Sequence, residues 1–388
     1  MNWAKTLQPV LDRAVAEGEL AGGNLLVRCN GHDVAYIESG LADTDGKTAI
    51  RRDSIFRLYS QSKPITAAAV AILAERGILD LYDPVERYLP GFRNQKIWTK
   101  EGLVPSPRPA ILLDLLSMTA GLCYGEEPGA GVHTAAVLKE AEQQICEGGG
   151  IGTVELMNRI GQQPLLFAPG EDFHYSLCAD VLGAVVEIAS GKPFAEFLQD
   201  ELFGPMNMKD TAFWVPKDKL SRLVTCYRRT PEGLRIWDDL HLAVGEYTRE
   251  PAFASGGAGL VSTLDDYSHF AQMLIDHGVW RGRRILGEGT VQWLTSPLLD
   301  SRKHLSFWFG LEGFTYGKLM RVCIEPGRYG SLARPGEYGW DGWLGTYFAN
   351  MPDIGVTFLF AQNTTDTGTS RVVRQLRNTL LSRPESIL

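Results

Sequence analysis

The spacing of apolar residues changes three times along the chain, and each change predicts a different kind of element. Trp3, Leu7, Val10, Leu11 and Ala14 recur at helical spacing, which predicts an amphipathic helix over residues 2–17. After Gly22-Gly23 the segments 24–29 and 33–39 read as two strands, joined by the hairpin signal Asn30-Gly31-His32. Phe56 to Tyr59 reads as a short strand running into a helix. From Pro64 to Leu73 that helix is Ala-rich and apolar nearly all round, which predicts burial, and it stops near Gly77. Residues 78–235 read as mainly helical with long loops, including helices at 154–160, 179–190 and 193–202 and a loose Gly-, Glu- and Pro-rich segment at 124–132. A tight glycine cluster, 256–260, precedes a helix at 263–277 with Thr263 as N-cap and Asp265 and Asp266 in its first turn. The period then shortens to that of strands at 307–311, 346–350 and 355–361, and a helix at 371–381 closes the chain. N- and C-terminal segments are thus expected to share one antiparallel sheet flanked by helices, an α+β sandwich. The division is a domain of residues 1–59 plus 240–388 and a mostly helical domain of residues 60–239, with the active site at their interface.

Composition narrows the function more by exclusion. The 388 residues are 44% hydrophobic and 22% charged, as in an ordinary soluble protein, and the net charge of −8 argues against nucleic acid or an anionic membrane as a partner. Six scattered cysteines without a CxxC pair, and seven dispersed histidines without HExxH, predict no metal site and no disulfide framework. No P-loop, dinucleotide fingerprint or G-x-S-x-G elbow is present, so no cofactor is expected. No stretch reaches the roughly eighteen apolar residues of a membrane span, and Met1 to Thr6 lead into no signal-like apolar run, so a cytoplasmic protein is expected. Nothing in the sequence speaks to oligomeric state.

The chemistry concentrates in three places. Ser60-Gln61-Ser62-Lys63 lies at the predicted strand-to-helix junction, where residues three apart share a face. A serine hydroxyl becomes a nucleophile only when its proton is taken, and a desolvated lysine can take it. Tyr175 stands in a loop just before a helix, and a phenol can relay protons beside a cation. Tyr338-Gly339-Trp340-Asp341-Gly342-Trp343 is a glycine-spaced aromatic run entering a strand, where main-chain N–H groups could meet a substrate carbonyl.

In this order the three runs resemble the serine β-lactamase and penicillin-binding-protein superfamily, and within it the family VIII carboxylesterases. Leu115-Leu116 to Leu122, Gly204 to Thr211 and Gly256 to Thr263 match further signatures of that group, so the resemblance covers nearly the whole chain. It implies a five- to seven-stranded antiparallel sheet. It also implies Ser60 as acylated nucleophile, Lys63 and Tyr175 as proton-transfer pair, and the N–H groups of Ser60 and Trp343 as oxyanion hole. Gln61, Tyr124, Trp340, Asp341 and Gly342 would be substrate contacts. Two departures bear on the substrate. Leu177 replaces the asparagine of the second motif, and Trp340 replaces the lysine of the third, which would pair with a carboxylate. A small neutral ester needs neither partner, so a serine carboxylesterase is the expected activity. A β-lactamase, a D-aminopeptidase or other amide hydrolase, an acyltransferase, or a silent binding homologue are the alternatives.

Overall fold

The computed structural model describes residues 2–245, 247–299 and 311–387. Its centre is an antiparallel sheet of eight strands. They are β1 (Gly22–Cys29), β2 (His32–Asp43), β3 (Thr48–Ala49), β4 (Phe314–Tyr316), β5 (Arg321–Cys323), β6 (Tyr338–Asp341), β7 (Tyr347–Met351) and β8 (Val356–Ala361). They lie in the order β4-β5-β6-β7-β8-β1-β2-β3, so the first long strand pairs with the last, Asn24 opposite Ala361 and Cys29 opposite Val356. The implied five to seven strands become eight because two- and three-residue pieces extend both edges. The β1–β2 turn is as the sequence indicates: Asn30 and Gly31 both have positive φ, +48° and +79°, as a tight hairpin turn requires.

Both faces of the sheet are covered. Helix α1 (Trp3–Ala16), capped by Asn2, turns Trp3, Leu7, Val10, Leu11 and Ala14 onto one face. Alongside it packs the closing helix, Arg371–Leu381. Together they bury Phe358 and Phe360 of β8 and Tyr347 and Ala349 of β7. The alternate residues of the same strands, Leu359 and Phe348, face the other core. That core holds α2 (Lys63–Glu75), α3 (Cys178–Ser190) and α4 (Leu264–Ile275). Every residue of α2 from Lys63 to Leu73 is buried, which accounts for its apolar sequence. Its alanines let α3 lie close against it.

Between α2 and α4 the chain forms helices at Leu112–Leu116, Ala130–Cys146, Thr153–Gly161 and Phe194–Leu198, with two-stranded ribbons at 96–105 and 227–236. The helix Ala130–Cys146 begins inside the segment expected to be loose. Its buried positions are chiefly small residues, Ala130, Gly131, Thr134 and Ala141, which leave little hydrophobic periodicity to read. The expected strand at 307–311 falls largely outside the described residues, and Leu311 itself is not in a strand. The strand expected at 56–59 shrinks to Phe56–Arg57, paired with Val261–Ser262.

Candidate active site

Ser60 lies in a 3-10 turn, Tyr59–Ser62, whose end runs directly into α2 at Lys63. With three residues per turn, side chains at i and i+3 eclipse, so the serine-to-lysine spacing brings the two together here even more closely than in an α-helix. Tyr59 just before the serine has a φ of +46°. For a non-glycine residue that backbone costs on the order of 1–2 kcal/mol. Surrounding contacts hold the reversal. The Leu58 N–H donates to the Leu260 carbonyl (2.8 Å), the Leu58 carbonyl accepts from the Thr346 hydroxyl (3.1 Å), and the Ser62 hydroxyl accepts from the Leu260 N–H (3.2 Å). The buried Tyr59 ring packs 5.2 Å from that of Trp343.

Lys63 is fully buried. Its Nζ donates to Ser60 Oγ (3.0 Å) and to the Gly257 carbonyl (2.9 Å). Burial lowers its pKa to about 7, against the pull of the nearby Asp180 carboxylate. Asp180, from the first turn of α3, is itself buried. It accepts from the Gly257 N–H (3.0 Å) and the Ser255 hydroxyl, and so fixes the backbone that presents the Gly257 carbonyl to the lysine. A Cβ on Gly257 would sit 2.5 Å from the Asp180 carboxylate, which explains a glycine there. Neither Asp180 nor the Gly257 carbonyl was expected as a site group. The signal available was Asp180 standing just after Tyr175, but its partner loop lies far along the chain.

Tyr175 arrives from the loop before α3. Its hydroxyl is hydrogen-bonded to Ser60 and accepts from Trp340 Nε1 (3.0 Å). The Lys63 ammonium or amine lies 4.6 Å from the centre of the Tyr175 ring. Burial drives the phenol above its ordinary value, with the Ser60 and Trp340 hydrogen bonds opposing, so Tyr175 is a neutral phenol near pH 7. The structure therefore brings Ser60, Lys63 and Tyr175 into one hydrogen-bonded group.

Trp340 and Asp341 end β6. Arg321 on β5, itself buried, donates to the Asp341 carboxylate (2.8 Å) and the Phe348 carbonyl (3.2 Å), which offsets the charge of Asp341. At Gly342 a Cβ would meet the Leu58 carbonyl at 2.1 Å, so glycine allows the turn after β6 to touch the Ser60 turn. The Ser60 and Trp343 N–H groups have no protein acceptor among the described residues. Both residues line a cavity of about 560 Å³, together with Tyr175, Trp340, Asp341, Gly342 and the segment 366–369.

Two of the expected substrate contacts are placed differently. Gln61 is 1% exposed and absent from the cavity wall, and its carbonyl accepts from the Tyr267 hydroxyl (3.0 Å). A 3-10 turn sends residue i+1 away from residue i, so the neighbour of Ser60 points into the core. Tyr124 is half-buried and meets the site through the Tyr175 ring, centre to centre 5.7 Å, and through Lys63, whose Nζ lies 5.8 Å from its ring centre, rather than through the cavity wall.

The Beta-lactamase family model matches residues 7–381. The chain belongs to the beta-lactamase family. Within this serine-hydrolase group it is 31% identical to Esterase EstB of Burkholderia gladioli over 386 residues, 95% of this chain and 92% of that one. It is equally identical, 31% over 338 residues, to Protein Rv1367c of Mycobacterium tuberculosis, covering 83% and 80% of the two chains. Among solved structures it is similar to EstCE1, described as a hydrolase with promiscuous acyltransferase activity, with a TM-score of 0.84, 26% identity and 98% of both chains covered. Simvastatin synthase (LovD) from Aspergillus terreus shares the beta-lactamase-like fold at a TM-score of 0.81 and 20% identity, over 99% of each chain. Among the described residues no helix is long and apolar enough to cross a membrane, and no cluster of three or more His, Cys, Asp or Glu side chains could hold a metal ion.

Proposed function

We propose that this beta-lactamase-family protein hydrolyses small carboxylic esters through an acyl-Ser60 intermediate. The observation that carries the reading is the buried Lys63 amine, hydrogen-bonded to Ser60 and brought to a pKa of about 7. Near neutral pH about half of it is unprotonated and can accept the serine proton. The Ser60 oxygen then bonds to the ester carbonyl carbon, and the charge on the carbonyl oxygen falls on the Ser60 and Trp343 N–H groups. The C–O bond to the alcohol breaks, and the alcohol leaves with the proton held by Lys63, passed through the Tyr175 hydroxyl. Water next adds to the acyl carbon and gives its proton back along the same path. Lys63 returns that proton to the Ser60 oxygen as its bond to the acyl carbon breaks, and the acid departs. A neutral phenol suits Tyr175 as relay and donor rather than as the base.

Trp340 in place of a lysine, and an Asp341 whose charge Arg321 already offsets, leave no cation beside the reacting carbonyl on this strand. That favours a neutral acyl group there over a β-lactam. The similarity to Esterase EstB, and to EstCE1 as a hydrolase, supports the same substrate class. Intact-protein mass spectrometry with p-nitrophenyl butyrate tests the reading. A butyryl adduct mapping to the Ser60 peptide, absent in Ser60→Ala, is expected. Turnover without any adduct, or with an adduct elsewhere, would overturn it.

A further inference from the structure

A main-chain N–H serves a developing oxyanion only while its peptide plane keeps its direction, because a hydrogen bond weakens steeply once its angle falls below about 120°. The Ser60 N–H is carried by a turn continuous with α2. The Trp343 N–H is carried by the turn after β6, closed by the Gly345 N–H on the Gly342 carbonyl (2.8 Å), and the residue before it is a glycine with no side chain to pack. Packing of the Trp343 indole therefore bears on where its N–H points. Resting on the Ser60 reading above, we propose that His241 is a positioning residue, whose imidazole stacks on the Trp343 indole and aims the Trp343 N–H at the reacting carbonyl oxygen.

Geometry is the first argument. The imidazole and indole ring centres lie 4.2 Å apart, with planes 27° from parallel. Tyr59 and Trp237 meet the same indole at 5.2 and 5.1 Å, but inclined by 53° and 77°. Of the three rings, His241 is the one that lies nearly flat on the indole, so it closes off a whole face rather than touching an edge. The indole N–H donates to Asp366 (2.8 Å), which fixes one rim of the ring while His241 covers the face.

The backbone that presents His241 is the second. Leu242 and Ala243, just after it, have φ of +59° and +56°. The turn is closed from both sides, the His241 N–H donating to the Val244 carbonyl (2.9 Å) and the Val244 N–H to the His241 carbonyl (3.1 Å). Two successive left-handed residues suit Asn-Gly and strain Leu-Ala. Glu142 holds the strained form by accepting from the Ala243 N–H (3.1 Å). Such backbone persists only where its surroundings over-determine it, and it gathers at functional sites. Hydrogen bonding does not account for the histidine, since its Nδ1 is buried without a protein partner among the described residues. Burial lowers its pKa below the ordinary value, against the Asp366 carboxylate and together with Arg228, so near pH 8 it is a neutral flat ring. The imidazole thus acts through its shape and its place, not through a charge or a proton.

The test reads the oxyanion directly, on the full chain at about pH 8. A propyl trifluoromethyl ketone bonds its carbonyl carbon to Ser60 Oγ, Lys63 takes the serine proton, and the charged oxygen rests on the same two N–H groups. His241→Ala should lower kcat on p-nitrophenyl butyrate about tenfold with KM within about twofold, because acylation and deacylation pass through the same oxyanion. Affinity for the ketone should fall by the same factor. His241→Phe, which keeps a flat ring, should restore both to within about threefold of wild type. Trp343→Ala should itself lose about tenfold or more in kcat, and adding His241→Ala to it should cost less than about twofold further, since the indole through which His241 acts is gone. Should His241→Ala not fold, His241→Leu keeps the volume without the flat ring and must show the same losses. Unchanged kcat and ketone affinity in the folded variant, a loss confined to KM, or a full second loss on top of Trp343→Ala overturns the positioning role while leaving Ser60 in place. Wild-type protein that the ketone does not inhibit and that gains no acyl group at Ser60 would instead sink the nucleophile reading, and the role of His241 with it.

Discussion

Among the described residues two buried lysines are hydrogen-bonded to a serine hydroxyl, and only one of these pairs is built like a reactive centre. Lys318, in the turn between β4 and β5, donates to Ser296 Oγ at 2.8 Å, and burial lowers its pKa to about 8. Lys63 meets Ser60 at 3.0 Å with a pKa of about 7. By distance and by amine chemistry the two pairs are close to equal. They differ in what surrounds the hydroxyl. Ser296 donates its own proton to the Trp293 carbonyl (2.8 Å), and the amine rests 4.9 Å from the centre of the Trp293 ring. Ser60 has a phenol beside it, two N–H groups without protein acceptors in the same cavity wall, and a strained turn that presents it. A lowered amine supplies a base; a site also requires room for a carbonyl and donors for its oxygen.

The sharpest way to break that contrast is to delete each pair in turn. Ser60→Ala should abolish turnover of p-nitrophenyl butyrate, and Lys63→Ala should cost about 10²–10⁴-fold in kcat. Ser296→Ala and Lys318→Ala should leave kcat/KM within about twofold of wild type. Steady-state kinetics on the four variants decides it, and a large loss at Lys318 would void the distinction. Tyr175→Phe should follow, with a loss of about a hundredfold, expressed in kcat more than in KM because the phenol is asked to act on the reacting proton.

The pH profile sharpens the comparison without any mutation. The acting form of Lys63 is the free amine, so kcat/KM should fall about tenfold per pH unit below roughly 7 and level off above it. Tyr175, held above its ordinary value, adds no second limb in the neutral range. A profile flat from pH 5 to 8 would remove Lys63 as the base. Trp340→Phe should have a smaller effect, about three- to tenfold in kcat, since it removes one hydrogen bond to the Tyr175 hydroxyl. Unchanged kinetics in that variant would show that the phenol needs no outside orientation.

How much of this was legible in the sequence follows from the range of each contact. Ser60 and Lys63 are neighbours on one turn, and their spacing alone brings them together. α1 follows from its periodicity, because it packs on the face that the sequence marks, and β8 from its short apolar run, because it is buried on both faces. Tyr175 and Trp343 could be tied to Ser60 only through resemblance, since no local rule joins positions so far apart. The misplaced Gln61 has a local cause: the reading assumed that a residue beside a nucleophile faces the same cleft, and the 3-10 turn points it inward. Asp180 with the Gly257 N–H, Arg321 with Asp341, and Lys318 with Ser296 are pairings set by the sheet and by α3. Nothing in the residues themselves announces them.

The smallest expected effect concerns stability and bears on the second pair alone. Lys318 ionises at about 8 when folded and at its ordinary 10.5 when unfolded. Below pH 8 both states carry the proton and the folded one pays to bury the charge. Between 8 and 10.5 the unfolded state binds more protons, so stability rises with pH. Lys318→Met removes that penalty while keeping a flexible apolar side chain against Trp293. It should stabilise the protein by about 0.5–2 kcal/mol at pH 7, with the advantage shrinking toward pH 10.5. Urea denaturation at the two pH values reads both the gain and its decline. Lys63 loses its proton over a window that starts lower, about 7 to 10.5, so Lys63→Met should show the same decline beginning one pH unit earlier, alongside complete loss of turnover. A gain in stability without loss of function at one lysine, and with loss at the other, would separate a buried amine that merely costs stability from one whose cost is tied to chemistry.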